Sequence, residues 1–463
     1  MKNRLSILFF LAYFFSLSVV GQRNYGQEFV DLLHEGDYFG ARDFKQKYGD
    51  SIPENDFIDV FAKYKIGLYM NQPDSAAFYL HKMIVNHEEN LDRSKSNYYG
   101  ELIGIYSTEQ QFDKAIKLCK EIIAYLKRNP FNVKDKAYIK SEIKTTKAIR
   151  SSLIKKRKSE PRKKMIRINS DNECRIKLHN DSLAIRFDAE YNGQILKTWF
   201  DTGVSYYFVM EKEIADSIGV KIYDTKQDTI KQVNNIMMKA IEGILDSVRL
   251  GNVVLYNIPV MVFLEKMSAR MPDSLMNKPD IRAKIESFFD NMQIIMGLPT
   301  MQLIGQFEFN WKDSVFSMPV KSKKENIIPD IYNLNNRLYM QINIENINFT
   351  GFTDTGDVES FIKIDSSFYE KNQSNLELDK EITKDTLNYY LASGLYMNVP
   401  YEVVKNAKIS FNDKVIPNEA GDVIMLKCEN FSKRFDGIIG VGFFRRLGGK
   451  TLFDFENMVI EME

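Results

Sequence analysis

The tripeptide Asp-Thr-Gly occurs twice, at 201–203 and at 354–356. Each copy follows a strand-like run and a turn, and each precedes a second apolar run. Two unrelated loops would not share such flanks. Around the first copy, Leu183, Ile185 and Phe187 alternate at period two and lead to Asn192-Gly193, a hairpin signal. Ile195 and Trp199-Phe200 then carry the chain into Asp201. Around the second, Leu338, Met340, Ile342 and Ile344 lead to a turn near Asn346 and Asn348 ahead of Asp354. Downstream, Ile294-Ile295-Met296-Gly297 and Gly437-Ile438-Ile439-Gly440 are apolar runs that end in glycine. The closing segments Phe309 to Met318 and Phe453 to Met462 align without a gap. Four anchors in one order, twice, define a duplicated all-β lobe.

The chemistry suited to this arrangement is a carboxyl pair. Two aspartates held about 3 Å apart cannot both ionise, so they share a proton. The ionised one can take a proton from water while the other donates to a carbonyl oxygen. Asp201 and Asp354 are the candidates. Gly203 and Gly356 let the chain turn and let amides approach the carboxyls. Thr202 and Thr355 are placed to bond across to the opposite loop.

Met1 to Gly21 reads as a secretory signal: a basic start, an apolar run from Leu5 to Val20, and a small-residue exit. An uncleaved anchor helix is the alternative, although the run is short for a span. No Cys near the cut suggests a lipid anchor, and no later segment is long and apolar enough to cross a bilayer. The remaining length implies more than one domain. A formal net charge of +1 argues against a nucleic-acid partner. Cys119, Cys174 and Cys428 form no disulfide framework, and a single Cys174–Cys428 bridge stays open. An exported chain with so few Cys points to a bacterial periplasm or cell surface.

Residues 22–154 show apolar recurrence at three and four, as in Phe57, Val60, Phe61 and Tyr64. Ala41, Ala76 and Ala115 lie in similar surroundings, at steps close to the roughly 34 residues of tetratricopeptide helix pairs. The region is expected to be a tetratricopeptide-like helical domain able to dock a protein partner, with an ordinary helical bundle as the alternative. Residues 155–177, opening on Lys155-Lys156-Arg157-Lys158 and passing Pro161, read as a basic linker. The β lobes are assigned to 178–325 and 326–463. Within the first, Ile281, Ile285, Phe288 and Phe289 mark a helix packed on the lobe.

His34, His81, His87 and His179 are scattered, without a metal-ligand pattern. There is no phosphate loop and no Gly-x-Ser-x-Gly elbow. Neither a metal nor a cofactor is expected.

From about 178 to 463 the chain resembles the pepsin and retropepsin aspartic peptidases, most of all the retropepsin-like proteins that bacteria export. The resemblance rests on both Asp-Thr-Gly loops, the downstream glycines and the duplication. It implies a bilobal all-β acid-protease fold behind the helical domain. It implies Asp201 and Asp354 as catalytic dyad, with Thr202, Gly203, Thr355 and Gly356 as loop support and Gly297 and Gly440 packed beneath. It implies an aspartic endopeptidase that cleaves a peptide or protein by activated water. Both loops lie in one chain, so a monomer suffices. It implies flaps, which fall at 233–238 and at Tyr389-Tyr390 or Tyr396. There are departures, and the first is that no clear aromatic flap tip is present. Val204 and Asp357 follow the loop glycines where the family has Ala, Ser or Thr. Gln293 stands where the second half keeps Asp436. A buried Asp357 would raise the dyad's apparent pKa. The alternative is a weak or inactive peptidase-like protein that holds peptides or partners through its cleft and helical repeats.

Overall fold

The computed structural model describes residues 23–91, 94–128, 136–168, 175–179, 184–222, 228–231, 237–271, 273–320, 327–358, 361–379, 386–390, 396–419, 421–427, 435–446 and 449–463. The signal-like segment, Cys174, Cys428 and the flap residues 233–236 lie outside these. The chain forms two compact units, Met1–Arg162 and Lys163–Glu463.

The first unit is helical. Its main elements are α1 (Tyr25–Glu35), α2 (Tyr38–Tyr48), α3 (Asp56–Tyr69), α4 (Pro73–Asn86), α5 (Lys95–Thr108), α6 (Phe112–Arg128) and α7 (Lys136–Ser159). Local chemistry sets several starts. Asn24, Asp37 and Asn55 accept backbone N–H bonds as N-caps, and Pro73 opens α4. Gly36, at φ 87°, ends α1 in the left-handed region. The helices pack as successive pairs, α1 on α2, α3 on α4 and α5 on α6, with α7 against α6. Ala41, Ala76 and Ala115 each occupy the fourth position of the second helix of a pair, and all three are buried. At the α3–α4 crossing the approach is tight: a Cβ on Gly67 would lie 2.8 Å from the Ala76 backbone nitrogen.

The basic run is not a linker. Lys155 to Lys158 close the 24-residue helix α7, where cations offset the partial negative charge of the helix end. Leu153 anchors this last stretch in the core, and Arg157 pairs with Asp113 on α6. The strand Lys164–Arg167 already belongs to the second unit, paired antiparallel with Val253–Phe263, and Ile176–Lys177 pairs with Val315–Ser317. The connection therefore shortens to a few residues around Pro161, because backbone groups on either side of it are claimed by helix and sheet.

The second unit is built from three sheets. The nine-stranded sheet draws on residues 164–297 and includes β1 (Arg186–Tyr191), β2 (Gln194–Asp201), β3 (Phe208–Glu211) and β4 (Ile294–Gly297). A five-stranded sheet contains β5 (Gln306–Asn310). The ten-stranded sheet, from 331–440, includes β6 (Leu338–Ile344), β7 (Ile347–Asp354), β8 (Ile362–Asp365) and β9 (Gly437–Gly440). Each large sheet repeats one pattern. A hairpin (β1–β2, β6–β7) ends in an aspartate, and a later strand (β4, β9) runs parallel to the hairpin's second strand.

The five-stranded sheet joins the two halves. In it β5 pairs antiparallel with β10 (Lys450–Asp454), in a register that sets Glu308 against Leu452. The sequence alignment makes those two residues equivalent, so the pairing is symmetric about that point. Phe200, Phe309 and Phe453 pack ring against ring beneath it, all fully buried. The alternating apolar residues of the two closing segments thus build one shared core.

A helix, α8 (Pro279–Asp290), covers the first lobe as its spacing predicts. Ile285 and Phe289 are buried beside Trp199, Val209 and Ile295, and Phe288 meets Trp199 edge-on at 5.6 Å. Val204 and Val358, each just past a loop, pack against the same cluster. Flanking the expected flaps, strand Asp228–Lys231 pairs antiparallel with Met237–Leu250, and Thr386–Tyr390 with Tyr396–Val403.

Candidate active site

The two Asp-Thr-Gly loops meet back to back. Each threonine hydroxyl accepts the backbone N–H of the other: Thr202 N–H donates to Thr355 Oγ1 at 3.0 Å, and Thr355 N–H to Thr202 Oγ1 at 2.9 Å. Each hydroxyl then donates to the carbonyl just before the opposite aspartate, Thr202 to Thr353 at 2.7 Å and Thr355 to Phe200 at 3.2 Å. Both threonines are fully buried. Four hydrogen bonds shielded from water lock one loop to the other.

This clamp presses the carboxyls together. Gly203 N–H donates to Asp201 Oδ1 at 2.7 Å, and Gly356 N–H to Asp354 Oδ1 at 3.0 Å. The two carboxyls face each other across the loop glycines, and each bears on the other's titration. Each loop glycine lies against the other loop's acid. A Cβ on Gly203 would sit 2.6 Å from Asp354 Oδ1, and one on Gly356 2.4 Å from Asp201 Cγ. Only glycine leaves room for the opposite carboxyl.

The downstream glycines lie in register with the acids, Gly297 beside Asp201 and Gly440 beside Asp354. Gly297 is crowded by the loop it supports: a Cβ there would come within 2.2 Å of the Tyr206 carbonyl oxygen. Immediately after each glycine the chain bonds back to its loop, Leu298 N–H to the Val204 carbonyl at 2.9 Å and Val441 N–H to the Asp357 carbonyl at 3.1 Å.

Burial raises both carboxyls above the ordinary aspartate range. For Asp201 the amides of Gly203 and Gly356 and the bond to Asp354 oppose the rise. Asp354 is pushed further, first by burial and then by the charges of Asp201 and Asp357. An environment of this kind favours a single proton shared by the pair.

One residue and one role escaped the sequence reading: Lys363, and the bond made by the already noted Gln293. The first is Lys363, fully buried, whose Nζ lies 2.5 Å from Asp357 Oδ2. A single lysine inside the apolar run Phe361-Ile362-Lys363-Ile364 was the available signal, since such a residue needs a buried partner. The second is Gln293, whose Oε1 accepts the Lys197 N–H at 3.0 Å. Asp436 accepts the Thr350 N–H at 2.8 Å in the other lobe. Gln293 and Asp436 stand equally far before Gly297 and Gly440, and Lys197 and Thr350 equally far before Asp201 and Asp354. The glutamine fills the aspartate's role.

Among the described residues no three His, Cys, Asp or Glu are grouped to hold a metal ion, and no helix is long and apolar enough to cross a membrane. His87 and His179 pair with Asp56 and Asp188. Cys119 is buried in the helical unit, where desolvation pushes its thiol up to about 11.

Residues 187–276 match a family of aspartyl proteases. The matched segment spans Asp201 and not Asp354. No curated protein matches the chain. Among solved structures the chain is similar to a retropepsin-like aspartic protease from Rickettsia conorii, with 21% identity over 34% of this chain and 90% of that one, at a TM-score of 0.21. So loose a superposition says nothing about how this chain is arranged. The family match covers the Asp201 loop, in the β-rich unit that follows the helical one.

Proposed function

We propose that the chain is an aspartic endopeptidase whose dyad is Asp201 and Asp354. The observation that carries this reading is the reciprocal Thr202–Thr355 clamp, which brings buried Asp201 and half-buried Asp354 together across the loop glycines. In the proposed reaction Asp201, ionised, accepts a proton from water as its oxygen attacks the peptide carbonyl. Asp354 donates its proton to the carbonyl oxygen. As the tetrahedral intermediate collapses, Asp201 passes its proton to the amide nitrogen, the C–N bond breaks, and a hydroxyl of the intermediate returns a proton to Asp354, leaving a free amine and a free acid. The strand pairs 228–231 with 237–250 and 386–390 with 396–403 would offer their backbones to an extended peptide.

Asp201→Asn and Asp354→Asn test it directly. Each should cut peptide cleavage by about 10²–10⁴-fold or more while the folded protein persists. Cleavage that survives both substitutions sinks the reading. The second reading is a peptidase-like protein that binds without cutting, and the third carboxylate, Asp357, favours it. A statine-type inhibitor separates the two: tight binding lost in Asp201→Asn supports the enzyme, whereas peptide binding that ignores Asp201 supports the binder.

We further propose that the helical unit is a tetratricopeptide-like platform for a protein partner. The recurring buried Ala at one position of each helix pair supports it. Export to the periplasm or surface of a bacterium is proposed from the Met1–Gly21 pattern.

A further inference from the structure

The two lobes share nearly every contact at the site, and one chemical difference stands out. Val204 in lobe 1 and Asp357 in lobe 2 follow the loop glycines and accept equivalent backbone bonds, from Leu298 and Val441. On the next strand Val209 lies opposite Ile295 and Lys363 opposite Ile438. Ile295 and Ile438 each stand two residues before the supporting glycine, so Val209 and Lys363 are equivalent. Lobe 1 fills these positions with two valines in an apolar cluster. Lobe 2 fills them with an ion pair whose side chains are 0% (Lys363) and 8% (Asp357) exposed.

Packing does not call for that exchange. A buried ion pair commonly stabilises no better than apolar residues of similar volume, and lobe 1 shows that valines fit this corner of the fold. What the pair adds is charge beside the carboxyls. Asp357 acts on both Asp201 and Asp354, and Lys363 opposes it at Asp354. The other charged groups nearby are engaged elsewhere. Asp365, on the same strand, accepts from Ser367; Asp436 holds the Thr350 N–H; Asp422 pairs with Arg446. The strands flanking Lys363 set only Ile424 and Ile438 opposite it.

We propose that Asp357 and Lys363 are positioning residues for the dyad, setting the pH range over which Asp201 and Asp354 share one proton. The inference rests on reading those two acids as a proton-sharing pair. Lys363 pairs with Asp357 inside the protein. The fixed negative charge of Asp357 then disfavours loss of the last shared proton. The ammonium limits the effect, so that the pair does not retain both protons.

The test copies lobe 1 into lobe 2 in the full chain, as D357V/K363V. Its pH profile of kcat/KM should lose activity on the alkaline side at least about 0.5 pH unit earlier than the parent. A carbon-13 NMR titration of the dyad carboxyls, assigned with D201N and D354N, should move the same way. That second readout needs no cleavage. A chain that cuts no peptide refutes the peptidase reading, while the titration still decides this one. Lys363→Arg, which keeps the charge, should keep the parent profile. D357N/K363M serves as a second neutral pair. An unmoved titration in either neutral pair overturns the proposal, and so does failure of both to fold, which would make the ion pair structural.

Discussion

Gln293 and Asp436 do one job in two lobes: each side-chain oxygen takes a backbone N–H four residues before a loop aspartate, from Lys197 and from Thr350. An amide oxygen and a carboxylate oxygen are unequal acceptors. Losing the neutral bond in Gln293→Ala should cost about 1 kcal/mol of unfolding free energy, and losing the charge-assisted one in Asp436→Ala about 1.5–3 kcal/mol. Urea unfolding of the two variants checks the order. Equal losses would mean that the carboxylate charge adds nothing to this bond.

The loop glycines make a sharper prediction about activity. A Cβ on Gly356 would stand 2.4 Å from Asp201 Oδ2, so the carboxyl must move. Misplacement on the ångström scale costs about 10²-fold in well-aligned reactions. Gly356→Ala should lose that much or more in kcat/KM, with the statine-type inhibitor weakened in parallel. Gly203→Ala, which crowds Asp354, should behave the same way.

The threonine clamp should unfold as one network. Thr202→Val keeps the shape but leaves the Thr355 N–H without its acceptor and the Thr353 carbonyl without that donor. Each single valine should cost about 2–3 kcal/mol, because the orphaned groups stay buried. Thr202→Val with Thr355→Val should cost clearly less than the sum, since the two sides share a single interface. Thr→Ser at either position should recover most of the loss. A double-mutant cycle in urea measures the coupling.

The sequence carried the site further than it carried its surroundings. Asp201, Asp354, both threonines and all four glycines were legible because a tight loop and a close strand approach restrict residue choice at each position. The ion pair was half legible: Asp357 stood out as a departure, but its lysine lies six residues on, and only the pairing of β8 with β9 brings the two together. The basic run misled because charge density reads alike in a linker and on a solvated helix end. What decided it was Leu153 and the Asp113 partner, tertiary contacts that no local pattern contains. The strand at 164–167 was missed for the same reason: its partner, Val253–Phe263, is distant in sequence.

Asp330 offers a test of buried charge away from the dyad. It lies beside a cavity of about 360 Å³ formed with Phe411, Lys414 and Glu461, among others. Its carboxyl accepts from the Ile460 N–H and from Asn412 Nδ2, both at 2.8 Å. Burial still pushes it up to about 7, against the pull of those donors and with help from the Glu461 charge. The folded protein therefore holds this proton more tightly than the unfolded chain. That stabilisation is complete below the ordinary carboxylate range, near pH 4, and is lost as pH rises through about 7. Asp330→Asn removes the dependence while keeping an acceptor oxygen for Ile460. Relative to the parent, the variant should gain stability as pH rises from 4 to 8. Thermal or urea unfolding across that range reads the slope, and a difference that stays flat with pH would place the Asp330 carboxyl in the ordinary range instead.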